Sequence, residues 1–60
     1  MVLKVGSKYI LRFSINDHEL VYTAVVLSDD GKHISFKDKF DKELEYSREF
    51  FLTAEEVLDR

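Results

Sequence analysis

The stretch VVLSDDGKHISFKD, from Val25 to Asp38, decides the fold, because it reads as two strands joined by a tight turn. Asp30-Gly31 supplies the positive backbone angles that a tight turn between antiparallel strands requires. After the turn, Ile34 and Phe36 alternate with polar residues, which is the two-residue period of a half-buried strand. The stretch therefore predicts a β-hairpin in the middle of the chain.

Two strands are predicted from the residues on its N-terminal side. The first runs from about Leu3 to Ile15, is broken at Gly6-Ser7, and then carries large apolar residues at every second position. Asn16-Asp17-His18 follows as a turn, since Asn and Asp tolerate left-handed backbone angles. The run from Glu19 to Ser28 is almost continuously apolar. It predicts either a strand covered on both faces or a long bent strand that changes which face points inward.

On the C-terminal side, a polar turn over Lys39-Phe40-Asp41-Lys42 leads into a strand from Glu43 to Ser47. The last segment has two interpretations. Thr53-Ala54-Glu55-Glu56 matches a capping box and would begin a short helix, which gives a four-stranded antiparallel sheet plus a C-terminal helix. Alternatively, Arg48 to Phe50 forms one helical turn and Phe51 to Val57 returns as a fifth strand. We favour the second, all-β interpretation, because it continues the pattern of the chain as a whole.

Length and composition restrict the class of protein. Sixty residues allow a single small domain, residues 1–60, with a thin margin of stability. There is no cysteine for a disulfide or a zinc–thiolate site, and the formal net charge is −3, which is unfavourable for coating nucleic acid. The N-terminal residues have neither the apolar run of a signal peptide nor the length of a membrane span. We expect a cytoplasmic protein with no membrane partner.

Signals for catalysis or metal binding are missing from the sequence. His18 lies between two carboxylates in a turn, and no spacing links it to His33, so an exposed turn histidine is the better interpretation. Asp29 and Asp30 are expected in water as turn-forming residues, where neither carboxyl would reach a catalytic pKa. With no Gly-rich phosphate loop either, we predict no enzyme, no cofactor, no metal site and no small-molecule substrate.

Three aromatic residues are candidates for contact with a partner protein. Phe40 stands in a polar turn, where it either folds back over the open end of the sheet or stays exposed as a contact residue. Tyr22 is expected on the outer face of the bent strand. Phe51 belongs to the run Phe50-Phe51-Leu52, which leaves one large apolar side chain over beside an edge strand in either strand or helix geometry. We select Phe40, Tyr22 and Phe51 as partner-binding residues, including for self-association.

The alternative function is binding of single-stranded nucleic acid. Four lysines interleave with Phe36 and Phe40, as basic and stacking residues do in such sites: Lys32, Lys37, Lys39 and Lys42. Acidic residues lie among them, so the charge of this region is close to neutral. A solvated face of mixed charge is therefore the simpler interpretation.

The order of these elements resembles the small SH3-like barrels, including the Sm-like group. The residues that carry the resemblance are Val5-Gly6, Tyr9-Ile10-Leu11, Val25-Val26-Leu27, Asp29-Asp30-Gly31, His33 to Asp38, and Glu55-Glu56-Val57. It departs from the Sm-like pattern at Thr23-Ala24 and at Phe40-Asp41, where that group has Gly, and the uridine-contacting signatures cannot be placed. The resemblance implies a five-stranded antiparallel barrel with a short helical turn near its C-terminus.

Together these observations predict a small non-catalytic protein-interaction module that uses an edge strand and exposed aromatic residues. The partner would be another protein or a second copy of the chain. The alternative prediction is an Sm-like barrel that binds single-stranded RNA. Because widely used barrels host many functions, the fold by itself does not decide between them.

Overall fold

Five antiparallel strands form one sheet in the computed structural model of the chain, which describes residues 3–58. The order across the sheet is β4-β3-β2-β1-β5. The elements are β1 (Lys8–Ile15), β2 (His18–Asp29), β3 (His33–Asp38), β4 (Glu43–Ser47), a single 3-10 turn (Arg48–Phe50) and β5 (Phe51–Glu56). The predicted all-β, five-stranded antiparallel fold is confirmed at this level.

The turn between β1 and β2 has the two-residue form that matches the twist of antiparallel strands. Asn16 and Asp17 both have positive φ, at 52° and 65°, and Ile15 pairs with His18 directly across the turn. Positive φ at both central positions is the feature that selects Asn and Asp there. The predicted turn is confirmed, and β2 begins one residue earlier than expected.

Strand β2 is bent by a bulge, which decides between its two predicted forms. Val26 pairs with Phe36 and Ser28 pairs with Ser35, so Leu27 is an extra residue in the ladder. A residue inserted in this way shifts the alternation of side chains by one. Even-numbered residues of β2 therefore face inward before the bulge, and Asp29 faces inward after it, opposite Ile34. The long bent strand that changes its inward face is the form observed.

The core lies on the concave face of a strongly curled sheet. Its buried residues are Leu3, Tyr9, Leu11, Phe13, Ala24, Val26, Ile34 and Phe36. The ring of Phe13 on β1 lies 4.9 Å from the ring of Tyr46 on β4, centroid to centroid. In a flat sheet these strands, three steps apart, would be about 14 Å from each other. Curling of the sheet therefore brings side chains of β1 and β4 together over the core.

The C-terminal segment forms a fifth strand, and the alternative helix is wrong. Thr53 and Ala54, the start of the supposed capping box, pair with Arg12 and Leu11 of β1. Strand pairing gives these backbone groups partners in the sheet and lets Phe51 and Ala54 pack against the core. An isolated helix of this length would be marginal in water. Pairing with β1 therefore overrides the local capping signal.

Candidate functional site beside the Phe40 turn

The turn between β3 and β4, residues 39–42, is held by Asp38 and projects one aromatic ring into solvent. The Oδ1 atom of Asp38 accepts hydrogen bonds from the backbone N–H groups of Phe40, at 2.9 Å, and Lys42, at 3.0 Å. Asp41 has a φ of 63°, which Asp tolerates better than most residues. The side chain of Phe40 is 77% exposed. Of its two predicted placements, folding back over the end of the sheet is therefore wrong.

A groove lies beside this ring, and we call it the Phe40 groove. Its volume is about 230 Å³, and it is lined by Val21, Tyr22, Thr23, Asp38, Lys39 and Phe40. Pockets for drug-sized molecules usually span about 300–1,000 Å³. Val21 adds a second exposed apolar side chain to the groove, at 51%. The dimensions suit a single inserted side chain better than a small-molecule substrate.

Tyr22 lies on the inner face of β2, so its predicted outward position is wrong. Its ring packs against Phe13, Phe36 and Tyr46, and its hydroxyl lies 2.6 Å from the hydroxyl of Tyr46. Burial raises the pKa of Tyr22 to about 12, with further contributions from the Tyr46 hydrogen bond and from the nearby charges of Tyr46 and Asp38. Tyr22 contributes the floor of the Phe40 groove and is not a protruding contact residue.

The four candidate lysines do not form one surface. Lys37, Lys39 and Lys42 lie at or beside the Phe40 turn, while Lys32 lies at the other end of β3. The length of β3 separates the two positions by about 20 Å. The Nζ atom of Lys39 lies 5.3 Å from the centre of the Phe40 ring, close enough for a cation–π contact.

Phe51 is half-buried and packs against the core, with its ring 5.9 Å from that of Phe13. The guanidinium of Arg48 lies 5.0 Å from the centre of the same ring. The exposed member of the run Phe50-Phe51-Leu52 is Leu52, at 49%. One large apolar side chain of this run is exposed, as expected, and it is that of Leu52. Phe51 exposes only part of its side chain to solvent.

Beside the opposite end of β3, a buried ion pair joins the last residue of β2 to the 3-10 turn, and the sequence did not reveal it. The side chain of Asp29 is fully buried and accepts from Arg48 twice, at 3.1 Å from Nε and 2.9 Å from Nη2. It also accepts from the backbone N–H groups of Leu3, at 2.9 Å, and Gly31, at 3.0 Å. We call these four residues the Asp29 cluster. The expectation that Asp29 lies in water is wrong, because the bulge at Leu27 turns its side chain inward.

The electrostatics of the Asp29 cluster are those of a structural site. Hydrogen bonds from Arg48, assisted by the two backbone N–H groups and by the guanidinium charge, hold the pKa of Asp29 far below its usual range. The carboxylate is thus committed to four donors and cannot act as a base near neutral pH. Asp30 behaves as predicted for a turn residue, since its Oδ1 accepts from the backbone N–H groups of Lys32 and His33.

The remaining polar residues do not assemble a metal site within residues 3–58. No three His, Asp or Glu side chains in that range lie close enough together to hold an ion. His18 is exposed at the start of β2, and His33 lies 4.0 Å from Asp30. Over the same residues, no helix has the length and apolar character needed to span a bilayer.

Comparisons with known proteins add no assignment to this geometry. A scan against protein-family models finds no match to the chain, and searches of curated proteins and of solved structures find no significant similarity. Function must therefore be inferred from the residues of the chain itself.

Proposed function

We propose that this chain is a small non-catalytic protein-interaction module that contacts its partner through the Phe40 groove and an edge strand. The observation that carries the proposal is the exposed ring of Phe40, on a turn whose backbone amides are bonded to Asp38. A turn whose backbone is already ordered loses little further backbone freedom on binding, and aromatic residues are enriched at interfaces.

We also propose that the curled sheet forms a partly open SH3-like barrel. It is supported by the bent β2 strand and by the contact between the rings of Phe13 and Tyr46 across the concave face. Nuclear Overhauser contacts between these two rings in solution would be expected. Their absence, with the strand pairings intact, would leave an open sheet instead.

The test of the function is a selection of random peptides on the immobilised full chain, followed by affinity measurements on variants. Phe40→Ser should weaken selected peptides by at least about tenfold, the effect of losing an interface hot spot. The matched control is Val5→Ser, which removes an apolar residue of similar exposure, 66%, outside the Phe40 groove. Control affinity should stay within about twofold of the parent.

Two results would contradict the proposal. One is a selection that enriches no peptide. The other is equal binding by the parent and by Phe40→Ser, provided that the spectrum of the variant shows an intact fold.

The second candidate function, binding of single-stranded RNA, is favoured by one observation: the Nζ atom of Lys39 lies 5.3 Å from the centre of the exposed Phe40 ring. Stacking on an aromatic ring beside basic residues is how single strands are held without sequence preference. This candidate requires a short RNA oligonucleotide to bind at low salt, with an affinity that falls as salt rises. No binding at low salt would remove it.

A further inference from the structure

The outer edge of β4 is the regular open edge of this sheet. Within residues 3–58, β4 pairs only with β3, and the five pairs run from His33–Ser47 to Lys37–Glu43 without a register shift. The other terminal strand, β5, has an irregular register where it passes Phe13. Bulges of this kind protect an edge from pairing with another chain. β4 is therefore the better template for an added strand.

Two glutamates face outward along β4, and they differ in their surroundings. Glu43 lies opposite Lys37 on β3, whereas Glu45 lies opposite Ser35, whose hydroxyl is 3.4 Å from its Oε2 atom. Both are exposed, and neither forms an ion pair with another residue of the range 3–58. The negative charge of Glu45, at the middle of the strand, thus has no cation across from it on β3.

Pairing of two β4 strands from two copies of the chain would bring their glutamates close together. If β4 paired with β4 of another copy about a two-fold axis, using all five residues, Glu45 would lie directly opposite Glu45. A register shifted to centre on Leu44 would place Glu43 opposite Glu45. Like charges directly opposite each other on neighbouring strands are destabilising. In these two registers, the β4 edge is therefore poorly suited to self-association; a register centred on Tyr46, with Glu45 opposite Ser47, pairs only three residues of the strand.

We propose that the β4 edge accepts an extended segment of a partner protein that places Lys or Arg opposite Glu45, and that it discriminates against a second copy of this chain. The inference rests on the proposed interaction function and names the chemistry of the partner. Backbone hydrogen bonds to β4 would supply affinity, as in other cases of strand addition. The cross-strand pair with Glu45 would supply selectivity.

The experiment uses three short peptides of alternating residues in which every second position is valine. The remaining positions are lysine in the first peptide, serine in the second and glutamate in the third. Each is titrated into the isotopically labelled full chain while backbone amide signals are recorded. We expect the lysine peptide to shift the backbone amide signals of Glu43–Ser47. It should bind with an affinity at least about fivefold higher than that of the serine peptide, and the glutamate peptide should bind most weakly. This preference should shrink as salt is added.

Charge reversal supplies the matched comparison. Glu45→Lys should invert the order, so that the glutamate peptide binds best. Glu55→Lys makes the same charge change on β5 and should leave the order unchanged. Both side chains are exposed, so both variants should keep the parent's pattern of amide signals.

Three outcomes would overturn the inference: equal affinity for all three peptides, no response of the β4 amides to any peptide, or a concentration-dependent dimer of the parent chain that forms through β4. None of these decides whether the Phe40 groove binds a partner, which depends on the Phe40→Ser comparison with selected peptides. Loss of the β4 response with binding retained at the Phe40 groove would leave the interaction function standing and remove only the edge assignment.

Discussion

The two ends of the β2–β3 hairpin place the same side chain, aspartate, in opposite surroundings. At one end, Asp29 is fully buried and bound by Arg48 and two backbone amides. At the other end, Asp38 holds a turn at the surface, next to the exposed ring of Phe40. The first arrangement ties together the N-terminal segment, β2 and the 3-10 turn. The second leaves a large apolar group mostly in water. The buried ion pair and the proposed contact surface thus lie at opposite ends of the molecule's central hairpin.

Among the changes to polar residues, the largest expected effect comes from breaking the Asp29 cluster. Asp29→Ala should lower the free energy of unfolding by about 3 kcal/mol, because Arg48 loses its charged partner and two amides lose their acceptor. A domain of this size has only about 3–9 kcal/mol in total. Urea unfolding followed by tyrosine fluorescence would measure the loss, since the chain has three Tyr and no Trp.

Two further variants separate the loss of hydrogen bonding from the loss of a carboxylate. Arg48→Lys preserves the charge but not the two-point hydrogen bonding, so it should cost roughly half as much. Glu49→Ala, at an exposed neighbouring carboxylate, should change the free energy of unfolding by less than about 0.5 kcal/mol. Equal effects from Asp29→Ala and Glu49→Ala would show that the buried pair contributes nothing.

The same cluster should make stability depend on pH in the acid range. Because the pKa of Asp29 is lowered in the folded chain, the unfolded chain binds its proton first as pH falls. The contribution of Asp29 is therefore present above about pH 4, the ordinary aspartate pKa, and is lost progressively below it. Asp29→Asn lacks this titration. The gap in unfolding free energy between parent and Asp29→Asn should narrow on acidification, and a gap that stays constant would contradict the assignment.

A smaller effect is expected from the pair of Tyr22, which lines the Phe40 groove, and Tyr46 behind it. Tyr46→Phe removes the hydroxyl that lies 2.6 Å from that of Tyr22 and should cost about 1 kcal/mol of unfolding free energy. The pKa of Tyr22 should fall from about 12 only part of the way to its ordinary value, because burial, the larger cause, remains. Ultraviolet absorbance of the phenolate would follow the ionisation of Tyr22, which is the late step of the tyrosine titration because its pKa is raised. Tyr22→Phe should abolish this late step. An unchanged late step in Tyr46→Phe would rule out the pair.

The smallest effect on the free energy of unfolding should come from replacing Phe40. Phe40→Ala should change the free energy of unfolding by less than about 0.5 kcal/mol, because its ring is mostly in water. Phe13→Ala, the same change at a fully buried ring, should cost about 3–5 kcal/mol. Urea unfolding measures both. A large loss from Phe40→Ala would mean that the ring serves the fold and not a partner.

Much of the fold could be predicted because its signals are local. The alternation of Ile34 and Phe36, the Asp30-Gly31 turn and the Asn16-Asp17 turn each follow from the backbone preferences of a few adjacent residues. The bounds of β3 and β4 match the prediction for that reason. For the site, the pattern located Phe40 in a turn but left its exposure open, since either placement satisfied the local rules.

What the sequence determined by itself was the first four strands and the turns between them, because a two-residue period and turn chemistry act over short distances. The fifth strand was decided by its pairing with β1. Tertiary structure alone decided which residues of β2 face the core. The bulge at Leu27 arises from pairing with β3, and it moves Asp29 from the solvent into a bond with Arg48, nineteen residues later. Tertiary structure also decided that Tyr22 faces inward, where its hydroxyl contacts that of Tyr46. A change of register by one residue reverses every side chain that follows, and only the paired strand sets that register.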